Sequence, residues 1–330
     1  MSKQRVMMVL SGYPALSQTY KETELKYLQA THELEIASFN KGNVKYHKHY
    51  PFTRINNIDG LLKLSHAFKP DIFHCHYLHY TDLVFQAALK FNKPFTIRTH
   101  SFDILKVEDS FIRDKADMIN HELCRGVLVF PFLMQRCQGC GIKPEKIIPA
   151  MPVVDYNRFY DKQPNGNIIL NTGAAIPKKN MKSFFELSKL VPQKKFSILP
   201  IGYLTPHLKK INENLGSPVN VRKTVEPDRM PRVYKKSEWL VYTANPEIPT
   251  IGWPMAIDEA RASGVGVLIQ NIRSDIKDYI DGVGYTFDTI EEATEIIKEP
   301  VPHEIREQGF EISKRSDIAV NISQLTDLWK

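Results

Sequence analysis

Cysteine is scarce, with four residues in a chain of 330, which excludes a disulfide scaffold and fits a reducing compartment. Cys137 and Cys140 form one C-x-x-C in Gln135-Arg136-Cys137-Gln138-Gly139-Cys140-Gly141. A redox pair or half a zinc site would need a second pair or a nearby Cys/His cluster, and no such spacing follows, so small residues at a helix end is the preferred reading. Long apolar runs are missing as well. No stretch approaches the roughly 18 apolar residues of a spanning helix, and Met1-Ser2-Lys3-Gln4-Arg5 runs straight into the strand-like Val6–Leu10. Both features argue against a signal peptide or membrane span and lead to the expectation of a cytoplasmic protein. Acidic excess is lacking too: the formal charge is +7. An anionic membrane, a nucleic acid or a phosphorylated substrate would each suit that sign, but the basic residues are dispersed and no nucleic-acid motif is found. The expectation is therefore no nucleic acid, with peripheral membrane contact at an inner face left open.

Two common nucleotide fingerprints are absent. The loop Ser11-Gly12-Tyr13-Pro14-Ala15-Leu16-Ser17-Gln18-Thr19 lacks G-x-G-x-x-G, which removes the main support for a nicotinamide or flavin enzyme, and no G-x-x-x-x-G-K-[ST] marks a P-loop.

What the chain does contain is a repeated βα pattern. Strand-like runs at Val6–Leu10, Leu34–Phe39, Asp71–His76, Phe95–Thr99, Gly126–Phe130 and Lys146–Pro149 alternate with amphipathic stretches such as Gln18–Thr31, Gly60–Phe68 and Leu83–Phe91. A polar segment, Asp155–Asn167, interrupts the pattern, which restarts at Ile168–Thr172, Lys195–Ile201, Val219–Lys223, Trp239–Thr243 and Val265–Gln270. At about 100–200 residues per domain, the length also favours two domains and a cleft. The predicted class is α/β, with two Rossmann-like doubly wound domains: 1–160, 161–310, and a C-terminal helix, 311–330, returning to the first.

In such sheets ligands bind beyond the carboxyl ends of strands. Gly12 permits close backbone approach at the first of these ends, and Ser17 suits an N-cap. Asp71-Ile72-Phe73-His74-Cys75-His76 puts two histidines on one strand face, but a metal would need further ligands that no spacing supplies, so His76 reads as a cleft or structural residue. Arg98-Thr99-His100-Ser101-Phe102-Asp103 brings an imidazole and a carboxylate to one loop, and His100 and Asp103 are the candidate catalytic residues. Gly173-Ala174-Ala175-Ile176-Pro177-Lys178-Lys179-Asn180 places Lys178 and Lys179 between a strand and a helix, an anion site suited to a pyrophosphate, with a solvated basic turn as the alternative. Pro254 suits the first turn of a helix carrying Glu259, whose carboxylate could accept from two ribose hydroxyls; an exposed helical glutamate is the other reading.

Taken in order, these segments resemble the retaining GT-B glycosyltransferases of family 4 over most of the chain. Tyr13–Tyr20 with Glu24 and Leu28 resembles that family's "FPxxSETF…E…L", Asp71–His76 its "DVIHAH", and Pro94–Asp103 its "PFVxTxHGxD". Gly141-Ile142 through Lys146-Ile147 to Val154-Asp155 and Phe159 is similar to its "GV…KI…GVD…F", and Gly252–Gly264 to its "EGxPxxxxEAxAxG". The resemblance implies a nucleotide-sugar donor bound mainly by the second domain, a carbohydrate or glycolipid acceptor bound by the first, and transfer with retention. It implies no cofactor and no metal. By position Lys179 would bind the pyrophosphate, Glu259 the ribose, His100 the donor sugar, and the Gly12 loop the phosphates, with Lys178 and Gly252 on the donor side. Two positions depart from the pattern: Ala174 stands where the family has an arginine, and Ile251 where it has the first glutamate of E-x7-E. Lys178 and Glu247 are the nearest compensating groups. The expected activity is hexosyl transfer in cell-surface polysaccharide or glycolipid assembly; a weak or inactive sugar-nucleotide-binding protein, and a GT-B epimerase or phosphorylase, are the competing readings.

Overall fold

In a computed structural model, residues 3–42 and 49–330 are described. The chain forms two compact units, Met1–Val153 with Ile318–Lys330, and Val154–Asp317.

The first unit holds β1 (Arg5–Tyr13), β2 (Glu33–Lys41), β3 (Thr53–Arg54), β4 (Ile72–His76), β5 (Phe95–Arg98), β6 (Cys124–Val129) and β7 (Ile147–Pro149), in the spatial order β3-β2-β1-β4-β5-β6-β7. All of their pairings are parallel. The apolar run in β1 follows from burial on both faces. Met7 and Val9 enter a core with Phe73, Cys75, Ile97 and Val127, whereas Val6, Met8 and Leu10 enter another with Leu25, Leu28, Leu325 and Trp329. The second of these cores is closed by the chain's own end: the helix Ile318–Asp327 buries Leu325, and Trp329 Nε1 donates to Thr96 Oγ1 at 3.0 Å.

The second unit holds β8 (Ile168–Ala174), β9 (Lys195–Ile201), β10 (Val219–Val221), β11 (Ser237–Tyr242), β12 (Gly266–Gln270) and β13 (Tyr285–Phe287), ordered β10-β9-β8-β11-β12-β13 and again parallel. Phe184, Phe185, Phe196, Trp239 and Leu268 lie in its core. Local signals set several helix starts. Thr289 caps Ile290–Lys298 through Glu292 N at 3.2 Å, while Glu292 Oε2 accepts from Asp288 N at 2.8 Å, a reciprocal arrangement close to a capping box.

Strand order reverses between β1 and β4 and again between β8 and β11, so each sheet has one switch point where the loops part. The remaining departures from the sequence reading are short elements. β3 and β13 have two and three residues and no room for a periodic signal. β1 runs on to Tyr13, so Gly12 is a strand residue paired with Asn40. Ser17 is not the cap of the following helix: Gln18 holds that position, and its Oε1 accepts from Lys21 Nζ at 2.6 Å. The helix expected after Lys178 and Lys179 begins at Lys182, because Pro177–Lys179 forms a 3-10 turn and Asn180 adopts a left-handed backbone with φ 41°.

Candidate functional site

At the switch point of the first unit, the helix Thr19–Thr31 presents Tyr20, Lys21 and Glu24 on one side, since residues three and four apart share a helix face. β4 contributes His74 and His76 by its two-residue period, and β5 contributes Arg98 with His100 just beyond it. Glu24 is fully buried, and a carboxylate so placed must be paired. Its Oε1 lies 3.0 Å from His76 Nε2 and 3.3 Å from His74 Nε2, and its Oε2 lies 3.4 Å from Arg98 Nε. Burial would raise this acid, but His76 and Arg98 hold it well below the ordinary carboxylate range. Burial lowers His76 to about 4 against the opposing pull of Glu24. It also holds His100 well below the usual histidine range, helped by His76, Arg98 and Lys21.

Glu24, His74 and His76 bring three potential ligand atoms within 4.8 Å of one another, a grouping the sequence spacing did not reveal because Glu24 arrives from a different element. The group is only partly hydrogen-bonded: His76 Nε2 lies 3.0 Å from Glu24 Oε1 and His74 Nδ1 lies 2.8 Å from Thr96 Oγ1, whereas Arg98 supplies counter-charge across 3.4 Å without a hydrogen bond to Glu24 Oε2.

His100 and Asp103 are neighbours, as their shared loop requires. The buried Asp103 is occupied by backbone: Oδ1 accepts from His100 N at 2.9 Å and Oδ2 from Leu78 N at 3.0 Å. Burial raises its pKa to about 6, opposed by these amides. Asp103 therefore ties the loop after β4 to the loop after β5. The His100 ring lies 4.3 Å from that of Tyr20 and 4.7 Å from that of Tyr77, and the two tyrosine hydroxyls are 2.6 Å apart. Gly12 joins the group through its carbonyl, which accepts from Lys21 Nζ at 2.9 Å. Lys21 was not singled out from the sequence. It is buried over the Tyr77 ring, and desolvation lowers it to about 7.

The second unit builds its site after β8. The turn carrying Lys178 and Lys179 is latched to the end of β11: Lys178 O accepts from Asn245 N at 2.9 Å, and Lys179 O from Thr243 Oγ1 at 2.9 Å. Lys178 Nζ donates to Thr250 O at 2.9 Å, which brings it to the loop containing Gly252. Lys179 Nζ sits 3.8 Å over the Tyr242 ring, and desolvation, with Lys178 beside it, lowers its pKa well below the ordinary lysine value. The Gly252 loop is clamped by Arg273, whose Nη1 donates to Pro249 O and Ile251 O, both at 2.7 Å. Ile251 itself is buried, and Glu247 lies on an exposed turn. Pro254 stands just before the helix Met255–Ala262, so Glu259 is the fifth residue of that helix. Only 8% exposed, Glu259 accepts from Tyr234 Oη at 2.8 Å, and burial raises its pKa to about 7. Arg273 and Tyr234 carried no recognisable sequence signal, because each acts on a segment far from it along the chain.

Cys137 and Cys140 are free thiols at the end of the helix Met134–Gly139, and burial pushes Cys137 up to about 12.

No protein-family model and no curated protein matches the sequence. Solved structures do match the fold. HepE from Anabaena, in complex with UDP, superposes with a TM-score of 0.78 at 15% identity, covering 98% of either chain. A glycosyltransferase from Rickettsia africae gives 0.75 at 17% identity, over 100% of this chain and 98% of that one. Sucrose-phosphate synthase from Thermosynechococcus elongatus gives 0.78 at 12%, over 99% and 98%. The chain has the α/β fold of the GT-B glycosyltransferases.

Proposed function

We propose that this protein is a glycosyltransferase that moves a sugar from a nucleotide-sugar donor to a carbohydrate or glycolipid acceptor, with retention and without a metal. The observation that carries the reading is Lys179: its ammonium lies against an aromatic ring beside a second lysine, and among the described residues it has no carboxylate partner. Such a cation is poorly compensated until an anion arrives, and a pyrophosphate is an anion of the required charge. Glu259 adds a buried acceptor for ribose hydroxyls, and His100 an imidazole for a sugar hydroxyl. Positive charge and amide donors at the pyrophosphate would stabilise the departing nucleoside diphosphate. HepE has been crystallised with UDP-glucose, which makes uridine nucleotides the first ligands to try.

The test is a thermal-shift and calorimetric screen of nucleoside diphosphates and nucleotide sugars. One nucleotide should stabilise the wild type, and Lys179→Met should weaken it about 10- to 100-fold, the range for a hydrogen bond to a charged group. A protein that responds to no member of the panel would sink the reading. Ala174 and Ile251 favour one alternative, a protein that binds a sugar nucleotide with little turnover. It predicts stabilisation by the nucleotide with neither transfer nor hydrolysis.

A further inference from the structure

The first unit contains a chain of side chains in which the position of every proton follows from its neighbours. Glu24 is a buried anion, so a nitrogen 3.0 Å from its Oε1 must present a proton, and that nitrogen is His76 Nε2. A neutral His76 has only this one ring proton, which leaves Nδ1 as a bare acceptor. His76 Nδ1 lies 3.0 Å from His100 Nε2. The ring centroids are 5.0 Å apart with the planes 22° from parallel, too far for face-to-face contact at that nitrogen distance, so the rings meet edge to edge. His100 must then donate from Nε2, and its own Nδ1 is left as the acceptor. The opposite arrangement would turn a bare His76 Nε2 toward a carboxylate. A parallel arm supports the same polarity: Trp329 Nε1 donates to Thr96 Oγ1, which frees the threonine proton for His74 Nδ1.

We propose that Glu24 is a positioning residue: acting through His76, it holds His100 in the Nε2-protonated tautomer, so that Nδ1 can accept a hydrogen bond from a sugar hydroxyl. The last clause rests on the proposed glycosyltransferase reading; the tautomer itself does not. The charged and titratable groups around this chain are Tyr20, Lys21 and Glu24 from the helix, His74, His76 and Tyr77 from β4 and its end, Arg98 from β5, and Asp103 from the next loop.

Substituting Glu24→Gln gives an unusual prediction. Arg98 is a donor only, so the amide oxygen turns toward it and the amide NH2 toward the histidines. His76 then accepts at Nε2, carries its proton on Nδ1 and donates to His100 Nε2, which moves the His100 proton to Nδ1. Long-range 1H–15N correlation spectra of the full chain labelled at histidine, with His100 assigned by loss of its signals in His100→Gln, read this directly. The wild type should show His100 protonated at Nε2 alone, Glu24→Gln should show it at Nδ1, and His76→Leu, which removes the relay, should show both tautomers. In a transfer assay run below the variant's melting temperature, which falls because Arg98 loses its buried carboxylate partner, Glu24→Gln should lower kcat/KM about tenfold, as expected for a lost hydrogen-bond acceptor.

A wild-type His100 protonated at Nδ1, or a Glu24→Gln spectrum matching wild type, overturns the relay. The wild-type and His76→Leu spectra decide the matter should Glu24→Gln fail to fold. If the tautomers behave as stated but wild type turns over no nucleotide sugar, the relay stands and the glycosyltransferase reading falls. If transfer occurs and the tautomers do not respond, the relay alone is lost.

Discussion

Replacing Glu259 by glutamine should stabilise the protein, and only at high pH. The carboxylate is 8% exposed, and burial moves its pKa from the ordinary 4.5 to about 7. A raised acid pKa means that ionisation costs more in the folded chain than in the unfolded one. The penalty is absent below about pH 4.5, grows as pH rises, and is complete above about pH 7. The displacement of about 2.5 pH units, at 1.36 kcal/mol each, amounts to about 3 kcal/mol. Glutamine keeps an oxygen for the Tyr234 hydroxyl at the same place, so the hydrogen bond survives while the charge is removed. For a unit of this size about 3 kcal/mol corresponds to an increase of about 6–12 °C in melting temperature. The assay is chemical denaturation of wild type and Glu259→Gln at pH 5 and pH 8, without nucleotide. The variant should gain about 3 kcal/mol at pH 8 and well under half of that at pH 5. If the residue also binds ribose, the more stable variant will bind nucleotide less well, a common exchange between stability and function. An equal gain at both pH values, or a loss at pH 8, would refute the electrostatic reasoning.

Three other outcomes follow from the same geometry. Asp103→Asn keeps one acceptor but turns an NH2 toward one of the two amides of Leu78 and His100, and should cost about 1–3 kcal/mol in urea unfolding; a neutral result would show that the loops hold without it. Arg261 donates to Asp258 Oδ1 and to the carbonyls of Ile280 and Val283 while itself fully buried, so Arg261→Met leaves the buried Asp258 carboxylate without its cation, held only by the hydroxyls of Tyr279 and Ser316, and should lose about 3–5 kcal/mol in urea unfolding. Cys137, pushed up to about 12 by burial, should resist iodoacetamide at pH 8 in the folded protein and react once it is unfolded; alkylation at the rate of a free thiol before unfolding would contradict its placement.

The order of strands and helices was largely legible along the chain, because a parallel strand buried on both faces is a continuous apolar run and its helix is amphipathic. Val6–Leu10 and Ile168–Thr172 announced themselves in this way. β3 and β13 did not, since two or three residues cannot display a period. The strand-end loops were legible too, and they supplied His100, Lys178, Lys179 and the helix of Glu259. What those residues touch was not legible. Lys179 and Glu259 read as a basic turn or a helical glutamate until the fold removed water from around them. His74 and His76 lacked further ligand spacing in sequence, yet the helix of Glu24 and the end of β5 bring a carboxylate and a guanidinium to them. Local pattern depends on periodicity and backbone preference, which neighbouring residues carry. The protonation states and partners at the site depend on burial and on contacts between segments far apart in sequence, such as Glu24 with His76, 52 residues apart, or Lys178 with Thr250, 72 apart, and only the tertiary structure decides those.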